Sequence, residues 1–109
     1  MRNGNLFEDI PATLADERFD TLLETNALKL ERIVSRGHAT PDGQWYDQPR
    51  DEWVLLLKGR AAIVIQGQQA PVAMSPGDHL LLPARCRHRV AWTDPEVETV
   101  WLALHFSEK

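Results

Sequence analysis

The chain has 109 residues, 43% of them hydrophobic, which is enough for one domain with one core and too little for two. Sixteen acidic against twelve basic side chains give a formal charge of −4, which argues against a surface that grips nucleic acid by its phosphates. A single cysteine, Cys86, leaves no internal disulfide, and no apolar run nears the ~20 residues of a membrane span or forms a signal-peptide core. A soluble cytoplasmic protein is expected.

In chain order, residues 1–27 read as an acidic lead-in, carrying Glu8, Asp9, Asp16, Glu17, Asp20 and Glu24. Within it Leu14, Phe19, Leu22 and Leu23 take the spacing of one helix face, and the acids near the start suit the positive end of a helix dipole. A short helix is therefore predicted over Thr13–Glu24, entered after Pro11 and stopped at Thr25-Asn26.

From Leu28 to the end at residue 109 the pattern changes to short apolar runs between turn residues, which predicts an all-β barrel or sandwich. Strands are expected at Leu28–Ser35, Trp45–Asp47, Trp53–Lys58, Ala61–Gln66, His79–Leu82, Arg87–Trp92 and Thr99–Phe106. Gly, Pro or Asp in Thr40–Gly43, Lys58–Arg60, Gln66–Gln68, Ser75–Asp78 and Thr93–Pro95 supplies the backbone angles of tight turns. In the last strand Val100, Leu102, Leu104 and Phe106 alternate with Trp101, Ala103 and His105, so both faces are largely apolar. Such a strand is central in its sheet or covered by a second subunit.

Glu52 is followed six residues later by a turn glycine, Gly59, and Gly77, Pro83 and His88 form a second spaced set. These two sets resemble the two motifs of the cupin superfamily, and specifically a small single-domain cupin. The resemblance covers roughly Leu28 to Phe106. It implies a jelly-roll barrel, a double-stranded β-helix, here preceded by the short N-terminal helix. It also implies a divalent transition metal, Fe, Mn, Ni or Zn, held by three histidines and a glutamate.

The chain departs from that ligand set. The two histidines of the first motif fall at Trp45 and Asp47, or with the shorter spacing at Tyr46 and Gln48; the glycine inside the second motif is Arg85 and its final Asn is Trp92. A metal would be left with Asp47, Glu52 and His88, with His38 as a fourth candidate. Each has a plainer reading, Glu52 paired with a nearby arginine and His88 hydrogen-bonded within the core. In regular alternation His88 shares its side with Cys86, Val90 and Trp92, and Arg85, Arg87 and Arg89 take the other.

Trp45, Tyr46, Trp53 and Trp92 offer stacking faces for a planar or sugar-like small molecule in an apolar cavity, or else fill the barrel. Cys86 lacks a third group to orient a thiolate pair with His88 and reads as a small buried apolar residue. His79 and His105 read as packing or solvent positions. Three functions remain open: a small-molecule-binding cupin of unassigned reaction, a metal-dependent dioxygenase, isomerase, epimerase or decarboxylase, and a non-catalytic interaction or regulatory barrel. The resemblance implies a homodimer in each case, since single-domain cupins commonly pair through sheet faces and edge strands, and exposed strand edges are otherwise a liability.

Overall fold

The computed structural model describes residues 1–107; the last two residues of the predicted barrel segment lie outside that range. Eight strands form two sheets: β1 (Arg18–Glu24), β2 (Leu28–Ser35), β3 (Asp51–Lys58), β4 (Ala61–Ile65), β5 (Val72–Met74), β6 (His79–Leu82), β7 (His88–Thr93) and β8 (Thr99–Phe106). The larger sheet runs β1-β2-β8-β3-β6 and the smaller β5-β4-β7, and every pair is antiparallel. Among the described residues no helix is long and apolar enough to cross a membrane.

Alternation allots the faces. Residues directly opposite in an antiparallel ladder share a side, so Ile33 with Trp101, Val54 with Ala103 and Leu56 with Trp101 point inward together. They meet Ile63, Ile65 and Met74 of the smaller sheet in the core, where Leu56 and Ala103 are fully buried. Each fully buried large side chain contributes about 1.5–3 kcal/mol relative to exposure. β8 is central, between β2 and β3.

The predicted helix over Thr13–Glu24 does not form: no helix occurs among the described residues, and Arg18–Glu24 is the edge strand β1. Two features explain the misleading period. A bulge between Thr21 and Leu23 adds a residue and moves the apolar side chains out of strict alternation. Tertiary pairing then overrides local propensity, because Asp20 lies opposite Arg32 on β2 and accepts from its Nη2 at 2.7 Å. Arg32 also donates to the carbonyls of Leu6 and Glu8, lashing the N-terminal segment to the outer face.

The turn between β3 and β4 requires its glycine. Gly59 has φ +86°, and a Cβ there would lie 2.5 Å from Thr99 Oγ1 and 2.8 Å from the Glu98 carbonyl oxygen. Arg85, which replaces the second motif's glycine, adopts φ +64°, so the turn keeps the shape of the motif without its residue. Its amide donates to the Gln48 carbonyl at 2.8 Å, which fixes the segment leading into β3.

Candidate functional site

The inward residues toward one end of the larger sheet are polar. Glu52 opens β3 on the side of Val54 and Leu56; directly opposite it stands His105, and Glu31 lies opposite Ala103. From the smaller sheet His88 projects inward at the start of β7. Glu31, Glu52 and His88 are 7%, 6% and 6% exposed. Carboxylates are seldom buried so deeply unless paired.

They are paired with imidazoles. His105 Nε2 lies 2.9 Å from Glu31 Oε1 and 4.0 Å from Glu52 Oε2, and His88 Nε2 lies 3.5 Å from Glu52 Oε1. Glu52 thus stands between two imidazoles. The 3.5 Å separation is an ion-pair distance too long for a strong hydrogen bond, and Glu52 Oε1 has no hydrogen-bond partner among the described residues. Gln48 Oε1 is a second buried acceptor without a partner.

The electrostatics follow from the geometry. Burial alone would lower the His88 pKa, but the Glu52 carboxylate and the Cys86 carbonyl, which accepts from Nδ1 at 2.9 Å, raise it on balance. Both ring nitrogens face acceptors, which favours the imidazolium. For His105 the hydrogen bond to Glu31 is the main cause of a raised pKa; burial opposes it and the Glu52 charge adds to it. Burial works to raise the Glu31 pKa, but His105 and Lys29 hold it below the ordinary carboxylate value. Tyr46 stays a neutral phenol, its pKa raised by burial and by the charges of Glu17, Glu52 and Glu31.

A narrow cavity of about 60 Å³ runs into the barrel, its polar lining supplied by Glu17, Glu31, Tyr46, Gln48, Glu52 and His88. It meets an open hollow of about 440 Å³ that His105, Lys29 and Arg50 help to line, with Phe19, Glu31 and Gln48 common to both. The hollow is in the size range of small-molecule sites, whereas the inner cavity has room for one small group.

Tyr46 and Gln48, the shorter-spacing alternatives, therefore face the site. Tyr46 forms a β-bridge with His88, and the rings stack at 5.5 Å. Asp47 faces away, 3.5 Å from exposed Arg85. His38 is remote from the cavity, its Nδ1 accepting from the Arg36 amide at 2.8 Å. Trp45 lies under Arg87 and Arg89, Trp53 tilts against His79 on the outer face, and Trp92 is 46% exposed. The alternation that put Trp92 beside His88 breaks where Ala62 pairs with Trp92 but Ile63 with Val90; the extra residue, Ala91, turns Trp92 outward. The tryptophan that lines the cavity is Trp101.

Glu31 and His105 were not singled out from the sequence as site residues. Their signal was parity: Glu31 shares its side of β2 with Ile33, and His105 its side of β8 with Trp101.

These residues do not fit a resident ion of the three-histidine type. Glu52 and His88 are present and converge, but the other two positions hold a neutral phenol and an amide, and His105 Nε2 is engaged by Glu31. No group of three or more His, Cys, Asp or Glu among the described residues is arranged to hold a metal.

The comparisons agree with the fold. The family described as a cupin domain matches residues 35–105. A protein of Ralstonia eutropha JMP134, provisionally named a mannose-6-phosphate isomerase, is similar at 54% identity, with a TM-score of 0.96 over 98% of this chain and 99% of that one. A cupin superfamily protein of Desulfitobacterium hafniense DCB-2 shares the fold at 17% identity, TM-score 0.73, over 91% and 84% of the two chains. The TT1209 protein of Thermus thermophilus does so at 13% identity, TM-score 0.78, over 98% of each. No curated protein matches the chain.

Proposed function

We propose that this chain, which belongs to the cupin family, binds a small hydroxylated carbonyl compound in its barrel and isomerises it by proton transfer without a resident metal. The reading rests on one observation: two buried acceptors, Glu52 Oε1 and Gln48 Oε1, line the cavity without partners. An unpartnered buried acceptor costs about 1–3 kcal/mol, so a ligand that presents hydroxyl donors there recovers stability that the free protein lacks.

Glu52 is the general base. Its carboxylate takes the proton from the carbon next to the carbonyl; the C–H pair becomes a C=C bond and the carbonyl pair moves onto oxygen. The resulting enediolate needs a hydrogen-bond donor, and His88, which lines the cavity beside the base and whose pKa is raised, supplies one. Return of the proton to the neighbouring carbon, with a hydroxyl proton passed between the oxygens by an imidazole, completes the isomerisation. The provisional name of the Ralstonia protein lies in this reaction class.

Aldoses and ketoses incubated with the protein in deuterated water test the reading by NMR. Solvent deuterium should enter at the carbon next to the carbonyl, and Glu52→Gln should abolish its entry. Lack of exchange and of binding across the panel, or turnover that depends on an added divalent ion, would overturn it.

We also propose a homodimer formed through the outer face of the larger sheet. Trp53, Leu55, Leu102, Leu104 and Phe106 stand there half-buried beside Leu81, which is 54% exposed, and this apolar face suits a second copy. Light scattering should give twice the chain mass, reduced to the chain mass by Leu104→Glu; a monomeric wild-type protein would refute the pairing.

A further inference from the structure

We infer that the open hollow at the mouth of the barrel is a subsite for an anionic tail, held by Lys29 and Arg50, so that the preferred ligand is a hydroxylated compound ending in a phosphate or carboxylate. The inference rests on the reading that the inner cavity takes a hydroxylated group, and it adds which molecules of that kind bind best.

The two spaces have opposite chemistry. The inner cavity has three carboxylates in its lining, Glu17, Glu31 and Glu52, against one imidazole, His88, and no lysine or arginine. Its unpartnered atoms are both acceptors. A phosphate or carboxylate placed there would meet like charge at close range and find few donors. A hydroxyl-bearing group fits, and an anion is kept out.

The hollow is built differently. Lys29 precedes Glu31 by two residues on the inward side of β2, opposite His105, and Arg50 lies between Gln48 and Glu52 where the chain enters β3. Lys29 has a long ion pair, Nζ to Glu31 Oε2 at 3.7 Å, and Arg50 has no ion-pair partner among the described residues. Glu24 and Glu31 also line the hollow, but Glu31 is occupied by His105 and Lys29 and Glu24 is exposed. A guanidinium without a carboxylate at the rim of a pocket matches the planar geometry of a terminal oxyanion.

Because Phe19, Glu31 and Gln48 line both spaces, one molecule can reach from the inner acceptors to the rim. Its hydroxylated end would meet Glu52 and Gln48, and its anionic end Arg50 and Lys29.

Titration calorimetry with mannose, mannose 6-phosphate and mannuronate on the full chain separates the outcomes. Either anionic sugar should bind at least tenfold tighter than mannose, and the stronger of the two identifies the tail. The ratio should fall to near one in a Lys29→Gln, Arg50→Gln double variant whose melting temperature is unchanged, and the advantage should shrink as salt is raised. Equal affinity for all three sugars would overturn the anionic subsite and leave the hydroxyl reading standing. An anionic advantage that survives the double variant would also overturn it. Failure of all three to bind would remove both readings.

Discussion

Tyr46 and His88 are joined twice over: each backbone amide donates to the other's carbonyl, at 2.8 and 3.1 Å, and their rings stack with 24° between the planes. The stack fixes the plane in which His88 presents Nε2 to Glu52. Tyr46→Phe keeps both ties and should cost less than about 1 kcal/mol in denaturant unfolding. Tyr46→Ala removes the stack and widens the cavity, and should cost about 2–3 kcal/mol. NMR of the imidazole should show a mobile His88 ring in the alanine variant only.

The imidazole–carboxylate pairs set the pH dependence. His88 and His105 have folded pKa values above the ordinary 6.5. Their stabilisation is complete below 6.5 and is lost as pH rises through the raised folded values. Glu31 is lowered from 4.5, so its share is present above 4.5 and lost as pH falls through the depressed value. The groups facing these residues are Lys29, Glu52, Tyr46 and Glu17. Unfolding free energy should be highest between 4.5 and 6.5 as far as these pairs determine it, and should decline as pH rises above 6.5 through the raised folded values. His105→Gln should flatten that decline. A slope unchanged by the substitution would show that the pair does not govern it.

Metal content follows from the donor set. Protein purified without a chelating tag should carry metal well below one ion per chain by elemental analysis, and His88→Ala should leave that level unchanged. A stoichiometric ion lost in His88→Ala would mean that the barrel gathers donors its free form holds apart.

Two turns make opposite predictions. Gly59→Ala combines a left-handed backbone with a Cβ driven against Thr99 and Glu98, and should cost about 2–4 kcal/mol. Arg85→Gly relieves an unfavourable φ and gives up only an exposed pair with Asp47, so it should fall within about 1 kcal/mol of wild type. Arg85→Val, β-branched at the same φ, should cost about 1–3 kcal/mol. Chemical denaturation ranks the three.

Much of the barrel was legible because its signals are local. Leu28–Ser35, His79–Leu82 and Thr99–Phe106 are strands with the predicted limits, and Gly59 and Gly77 occupy the left-handed backbone that their turns need. Val72–Met74 was missed because three residues between Pro71 and Ser75 are too few to show a period. Both misleading periods, over Leu14–Leu23 and at Trp92, trace to bulges, and a bulge is fixed by the partner strand, which is remote in sequence. The site followed the same division. Motif spacing singled out Glu52 and His88, but its longer form put Asp47 beside them, whereas the bridge between Tyr46 and His88 sets the register that turns Asp47 away and brings Tyr46 and Gln48 to the cavity. Glu31 and His105 are 74 positions apart, and only the pairing of β2 with β8 brings them together.

β1 has a single strand neighbour, yet its end of the chain supplies one wall of the cavity: Phe19 lines it, as does Glu17, whose Oε2 accepts from Ser35 Oγ at 2.7 Å. This edge strand is therefore also a wall of the site. Peeling it back breaks one ladder, one hydroxyl contact and the Asp20–Arg32 pair while the central strands stay paired. An opening confined to that one ladder would bare Glu52 from that side at a smaller free energy than unfolding the barrel.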